Sequence, residues 1–192
     1  MQIVLLWVDI HVSLYGLWNR ANPDFRFLWA KFQLIDIREA LTEEAIRKTL
    51  ANLPKTLSEI YLRIIHKTYS SPGGEAKFHI MCAAFRWISV ARRPLRLDEL
   101  EEAVSLRPED TYLHTDRIPR DVGGRLMSAC GNLAVYDEEE NTVSFAHHTV
   151  KQFLLSSQQH ENVIPSIIDL KRGEEDVRNM CLAYLGFSDF ET

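Results

Sequence analysis

The chain offers few side chains suited to chemistry, and their spacing limits what they can do. His147 and His148 are neighbours, so their imidazoles leave the backbone in different directions. No HExxH occurs, and no Cys, Asp or Glu set stands nearby at metal-ligand spacing. Metal binding is therefore not expected. The simpler role for one of these histidines is to cap or pack against the helix that begins there. The three cysteines, Cys82, Cys130 and Cys181, are widely spaced and form no CxxC. An odd, scattered set supports neither a disulfide framework nor a structural zinc site. Cys82 and Cys181 fall at apolar helical positions, where inert packing is expected. Cys130 ends a helix, the wrong end for lowering a thiol pKa. Buried free thiols suit a reducing compartment, and the cytosol is the expected location.

Phosphate chemistry needs a glycine-rich loop feeding a helix, with a lysine for the β- and γ-phosphates. No GxxxxGK[ST] is present, and Gly73-Gly74 and Gly123-Gly124 read as turns. No convincing Walker-type aspartate follows a hydrophobic strand. The GxSxG elbow of the α/β hydrolases is missing too. No catalytic residue is expected, and the chain alone should not hydrolyse ATP or GTP.

Composition narrows the classes further. The 192 residues are 46% hydrophobic and 26% charged, ordinary for a globular protein, with a formal net charge of −5. A mildly acidic chain is a poor general ligand for nucleic acid, where neutralising phosphate supplies most of the affinity. The apolar run Ile3 to Val8 is interrupted by Asp9 and His11, and no lysine or arginine precedes it. A span needs about 20 mostly apolar residues, so neither a signal peptide nor a membrane anchor is expected.

The elements that must position these residues follow from periodicity. Residues 1–22 read as an apolar helix ending at Asn22-Pro23. Leu28, Phe32 and Ile35 follow helical spacing. Thr42 with Glu43 and Glu44 makes a good helix start, with Ala45, Ile46 and Leu50 facing inward. Pro54 suits the start of the next helix, whose stripe is Leu57, Ile60, Tyr61, Ile64 and Ile65. Ser70 to Gly74 breaks the chain. A helix carrying Phe78, Met81, Cys82 and Phe85 then runs to about Ala91. Pro94 to Leu97 is extended, and Asp98 caps a helix with Glu101 completing a capping box. Residues 107–119 read as loop, and Arg120 to Cys130 as a helix interrupted or begun late by Gly123-Gly124. Leu133 and Val135, then Val143 and Phe145, alternate as two strands around the charged turn Asp137 to Asn141. A helix near His148 buries Val150, Phe153 and Leu154. After a loop with Pro165, the last helix starts near Gly173, with a stripe of Val177, Met180, Cys181, Tyr184 and Leu185.

A short extended piece, two helices and a β-hairpin, in that order, is the winged-helix arrangement. DNA is the usual partner of such a fold. Here the recognition helix would carry only Arg120 and Arg125, and residues 107–140 hold four arginines against eight acids. A wing of Asp137, Glu138, Glu139 and Glu140 would be repelled by phosphate.

Three blocks carry a family resemblance. They are Phe27 to Leu34 with Leu50 to Leu57 and Tyr61; Trp87 with Ala91 to Leu100; and Cys130 to Leu133 with Val143 to Leu154. Together they resemble the region that follows the NTPase core in fungal NACHT proteins of the STAND class, which often carry ankyrin repeats. The second and third blocks look like the winged-helix domain named after GPI inositol-deacylase, a name that implies no deacylase activity here. Residues 1–26 do not match the end of a nucleotide-binding core. In related NACHT regulators this domain folds back on bound ADP, through the histidine of a Phe-x-His-x-[Ser/Thr] motif. In Phe145-Ala146-His147-His148-Thr149 the resemblance gives that phosphate contact to His147. ADP or ATP is thus implied only where an NTPase core is supplied.

The expectation is a mainly α protein with a small β-hairpin. An unmatched apolar segment (1–26) precedes a helical segment (27–71), a winged-helix domain (72–160) and a C-terminal helix leading toward repeats (161–192). The expected role is non-catalytic regulation within a NACHT-type, NLR-like switch. The expected partners are proteins (a NACHT core or repeats, within or between chains), not nucleic acid or membrane. The alternative is a stand-alone protein-interaction module, ahead of a DNA-binding winged helix.

Overall fold

The computed structural model describes residues 26–54, 56–119, 124–156 and 170–188, with the side chains of 26–29, 36, 39 and 170–172 left aside. The helix expected over residues 1–22, the loop at Pro165 and the side chain of Leu28 lie outside the described residues. The chain divides into two compact units between Arg63 and Ile64.

In the first unit, α1 (Arg26–Glu39) buries Phe32, which meets Tyr61 edge-on with ring centroids 6.2 Å apart. Gln33 is also fully buried, although it lies off the apolar spacing that predicts this helix. Helix α2 (Glu43–Ala51) begins as its sequence requires. Thr42 accepts the Ala45 N–H at 3.1 Å, and Glu43 and Glu44 occupy the positive end of the dipole. Ala45, Ile46 and Leu50 are half-buried. Helix α3 (Leu57–Ser70) starts later than Pro54 suggests. The Thr56 hydroxyl accepts the Glu59 N–H at 3.2 Å, so a side-chain cap sets the boundary and the proline stays outside it.

In the second unit, Gly73 adopts φ +68°, and Gly74 packs so tightly that a Cβ would sit 1.9 Å from the Tyr69 carbonyl oxygen. This turn launches α4 (Gly74–Val90), which buries Phe78, Met81, Cys82 and Phe85 as their spacing predicts. Helix α4 packs against the later helices and against the sheet. Strand β1 (Leu95–Arg96) leads directly into α5 (Leu97–Ala103). The capping residues expected here are two positions too late. Glu99, not Glu101, accepts the Arg96 N–H (2.9 Å), and Asp98 instead takes a two-point bond from the Arg96 guanidinium. The preceding strand supplies the extended cap residue, so Asp98 lies inside the first turn.

The segment expected as plain loop is organised around Asp110, which is 9% exposed, and includes a 3-10 turn at Thr115–Arg117. Helix α6 is shorter than the expected 120–130, spanning Arg125–Ala129. Gly124, at φ +80°, enters it in a left-handed conformation that closes off extension backwards. Arg120 lies outside the described residues.

Strands β2 (Ala134–Asp137) and β3 (Thr142–Phe145) form the expected hairpin, and β1 joins it in an antiparallel sheet of order β1-β3-β2. Ala134 faces Phe145 and Tyr136 faces Val143. The inward phase of β2 is therefore Ala134 and Tyr136, not Leu133 and Val135; Val135 is 37% exposed. Leu133 is buried from the turn before the strand, where Gly131 and Asn132 both have positive φ and reset the alternation.

Helix α7 (His148–Leu155) buries Val150, Phe153 and Leu154, as expected. Helix α8 (Leu170–Leu185) begins before Gly173. That glycine is a contact rather than a boundary: a Cβ there would stand 2.9 Å from Cγ of Arg86 on α4. The adjacent Arg86–Asp176 pair, at 3.7 Å, joins the same two helices. The buried line of α8 is Gly173, Val177 and Met180, continuing to Phe187 beyond its end, with Tyr184 half-buried. Cys181 and Leu185 lie about 100° round from it, one residue on, and are exposed.

Candidate functional site

Residues 145–149 join the sheet to α7. Phe145 ends β3 and packs against Phe85 of α4, with ring centroids 5.6 Å apart. His147 is in extended conformation and caps α7: its Nδ1 accepts the Thr149 N–H at 3.3 Å and lies 2.8 Å from the Thr149 hydroxyl. In the tautomer that accepts the Thr149 N–H through Nδ1, the ring proton sits on Nε2. The His148 ring stacks beside it at 4.1 Å. Burial, aided by the neighbouring His148 charge, holds the His147 imidazole below the usual histidine range. At neutral pH, His147 is thus an uncharged imidazole, and in the tautomer that accepts the Thr149 N–H its donor is Nε2. The capping role foreseen for one of the two histidines falls to His147, and His148 is the exposed partner.

The cysteines differ from one another. Cys82 is buried in α4, and burial pushes its thiol up to about 12 against the opposing pull of Arg86. Cys130 is buried at the C-terminal cap of α6. Cys181 is exposed, so inert packing, expected from its helical position, does not describe it. Among the described residues, no three His, Cys, Asp or Glu side chains gather as metal ligands would. No described helix is long and apolar enough to cross a membrane.

Two charge clusters were not foreseen from sequence. Asp110 accepts both a two-point bond from Arg117 Nη1 (2.9 and 3.1 Å) and the Arg107 N–H (2.9 Å), with His114 Nε2 at 3.6 Å. Burial pushes its carboxyl up, but Arg117, the Arg107 amide and His114 together outweigh this and leave it below the usual range. Arg93 and Glu99 form the second cluster, a fork-to-fork pair at 2.8 and 2.7 Å. Arg93 and the Arg96 amide together draw the Glu99 carboxyl down to about 2. The signal available in sequence was only the i to i+7 Asp–Arg and i to i+6 Arg–Glu spacings, which no regular helix brings together.

This second cluster edges a groove of about 560 Å³ between α4, β1, α5 and the end of α8. Trp87, Leu95, Leu106, Cys181 and Leu185 supply its apolar wall. Glu102 lies within it and accepts the Tyr184 hydroxyl.

The family model for the GPI inositol-deacylase winged-helix domain matches residues 74–164. Residues 74–164 are a winged-helix domain of the GPI inositol-deacylase type. The match starts at the glycine that launches α4 and takes in the sheet, the hairpin wing and the His147 cap. No curated protein and no solved structure matches the chain.

Proposed function

We propose that this winged-helix domain is a non-catalytic regulatory module of a NACHT-type NTPase, acting in the cytosol by docking on a nucleotide-bound core. The observation that carries this is the state of His147. A neutral imidazole with its proton on Nε2, fixed by a cap, donates to a phosphate oxygen without first losing or gaining a proton. The family match and the resemblance of residues 145–149 to the phosphate-contacting motif support the same role. The domain would close on an ADP-bound core and swing away on activation, a bistable contact rather than a chemical step. Nucleotide comes from the core, and the chain alone is not an enzyme.

The acidic hairpin favours a protein partner over DNA. Asp137 accepts the Glu139 and Glu140 amides, so the turn holds these carboxylates in a fixed loop at the wing tip. The groove beside α8 favours a second reading, a protein-interaction module acting without nucleotide.

The test is ADP exchange on an NTPase core encoded at the same locus, with and without this chain. The chain is expected to slow ADP release, and His147→Ala to remove the effect while leaving the thermal midpoint within a few degrees. An unchanged release rate with wild-type chain, or slowing that survives His147→Ala, contradicts the proposal. Binding of ADP by the chain alone would also contradict it.

A further inference from the structure

Leu185, on the wall of the α4–α5–α8 groove, is 77% exposed, and Leu182 of the same helix is 63% exposed. Exposed leucines on a single helix face need no explanation by themselves. The charges beside them are more informative. Arg93 is satisfied by Glu99, and Arg96 by Asp98, each through two bonds. That leaves Glu102, a half-buried carboxylate on the lining that accepts a hydrogen bond from the neutral Tyr184 hydroxyl. Among the described residues, no cation pairs with it. A carboxylate set among Leu106, Ala103, Cys181 and Leu185 is only partly compensated by a phenol, and a cation delivered there gains both the pair and the exclusion of water around it.

From this we infer that the groove is a docking site for an amphipathic helix of a protein partner, with leucine-type residues on one face and a lysine or arginine that reaches Glu102. The apolar face covers Leu182 and Leu185 and enters the groove between Leu106 and Cys181. The cation completes Glu102. A groove of this size takes two or three large side chains from successive turns, the i, i+3, i+7 anchors by which helices bind in grooves. This role involves neither His147 nor nucleotide, so it stands or falls separately from the switch.

The experiment is fluorescence anisotropy at physiological salt with labelled model helices of about 18 residues, one of leucine and lysine and one of leucine and glutamate in the same pattern. The leucine–lysine helix is expected to bind one-to-one and the leucine–glutamate helix not to bind. Glu102→Gln should weaken binding about fivefold, and Leu185→Ser about tenfold. Both positions are at the surface of the groove, and circular dichroism checks that each variant keeps its helix content. Neutralising the wing in Glu138→Gln/Glu139→Gln/Glu140→Gln should change affinity less than about twofold. Equal binding of both helices overturns the proposal, as does binding that follows the wing charges instead of Glu102. Sedimentation of the chain alone adds one more outcome. A dimer that Leu185→Ser dissociates would mean a second copy covers this face, and the proposal fails.

Discussion

Gly131 and Gly73 both have positive φ, at +61° and +68°, yet alanine should cost very different amounts at the two sites. At Gly73 a Cβ meets nothing within 4 Å, so Gly73→Ala incurs only the backbone penalty of a left-handed L-residue, about 1 kcal/mol. At Gly131 the Cβ would lie 2.5 Å from Cγ2 of Ile64 and 3.4 Å from the Thr68 hydroxyl. Cγ2 of a β-branched side chain on a helix has almost no alternative rotamer, so the backbone must shift instead. Overpacking of that kind adds about 1–3 kcal/mol to the left-handed penalty. Gly131→Ala should therefore destabilise by about 2–4 kcal/mol in total. Urea unfolding followed by far-UV circular dichroism reads the difference as a lower midpoint at unchanged slope. Removing the obstructing methyl in Ile64→Ala should make the double variant less unstable than the sum of the singles by about 1 kcal/mol or more. Equal losses at Gly131 and Gly73, or strict additivity with Ile64→Ala, would refute the contact, within the second unit, between the turn before the wing and Ile64 of α3.

Further expectations concern charge, amide burial and thiols. Asp110→Ala leaves Arg117, 27% exposed, without its carboxylate and uncaps the Arg107 amide, and should cost about 1–2 kcal/mol in the same unfolding assay. In the wild type the Asp110 and Glu99 carboxyls are both lowered by folding, so their stabilisation is complete above the unfolded carboxyl range. It is lost as pH falls through the folded values, about 2 for Glu99, and acid titration of the thermal midpoint should show the loss below about pH 4.5 shrinking in Glu99→Gln. Gln33 is fully buried, and among the described residues neither amide atom has a hydrogen-bond partner, so Gln33→Leu should raise stability by about 1 kcal/mol, and a fall of that size would mean the amide has a partner in solution. Under native conditions a thiol reagent should label Cys181 quickly and Cys82 and Cys130 only on unfolding; fast labelling of Cys82 would contradict its burial.

Much of this fold could be read from residue spacing because the signals were local. Thr42 with two glutamates, the Phe78 to Phe85 stripe, the charged turn at Asp137 to Asn141 and the apolar positions of α7 each state their structure within one or two turns of chain. What escaped depends on partners distant in sequence or on local backbone geometry that spacing does not reveal. Glycine in a helical stretch reads as punctuation, but Gly173 lies within α8 because Arg86 of α4 needs the space. The capping box at Asp98 and Glu101 fits its motif, yet the helix starts from the strand end at Arg96 and recruits Glu99. The phase of β2 turned on two consecutive residues with positive φ, which no alternation pattern reveals. At the candidate site, His147 was legible both as a cap and by resemblance. Its tautomer was not, because that depends on the backbone placing the Thr149 amide beside Nδ1. The groove was hidden for a different reason: Glu102 and Tyr184 are 82 positions apart, and only packing makes one the other's hydrogen-bond partner.

The central claim is that this domain regulates a nucleotide switch, and the most direct measurement is a long-read transcript across the locus that encodes it. The account predicts a message that continues upstream of Met1, in frame with Phe27, into a P-loop NTPase. A message that begins at Met1 and ends after Thr192 would contradict the switch, and would leave the groove beside α8 as the functional surface to pursue.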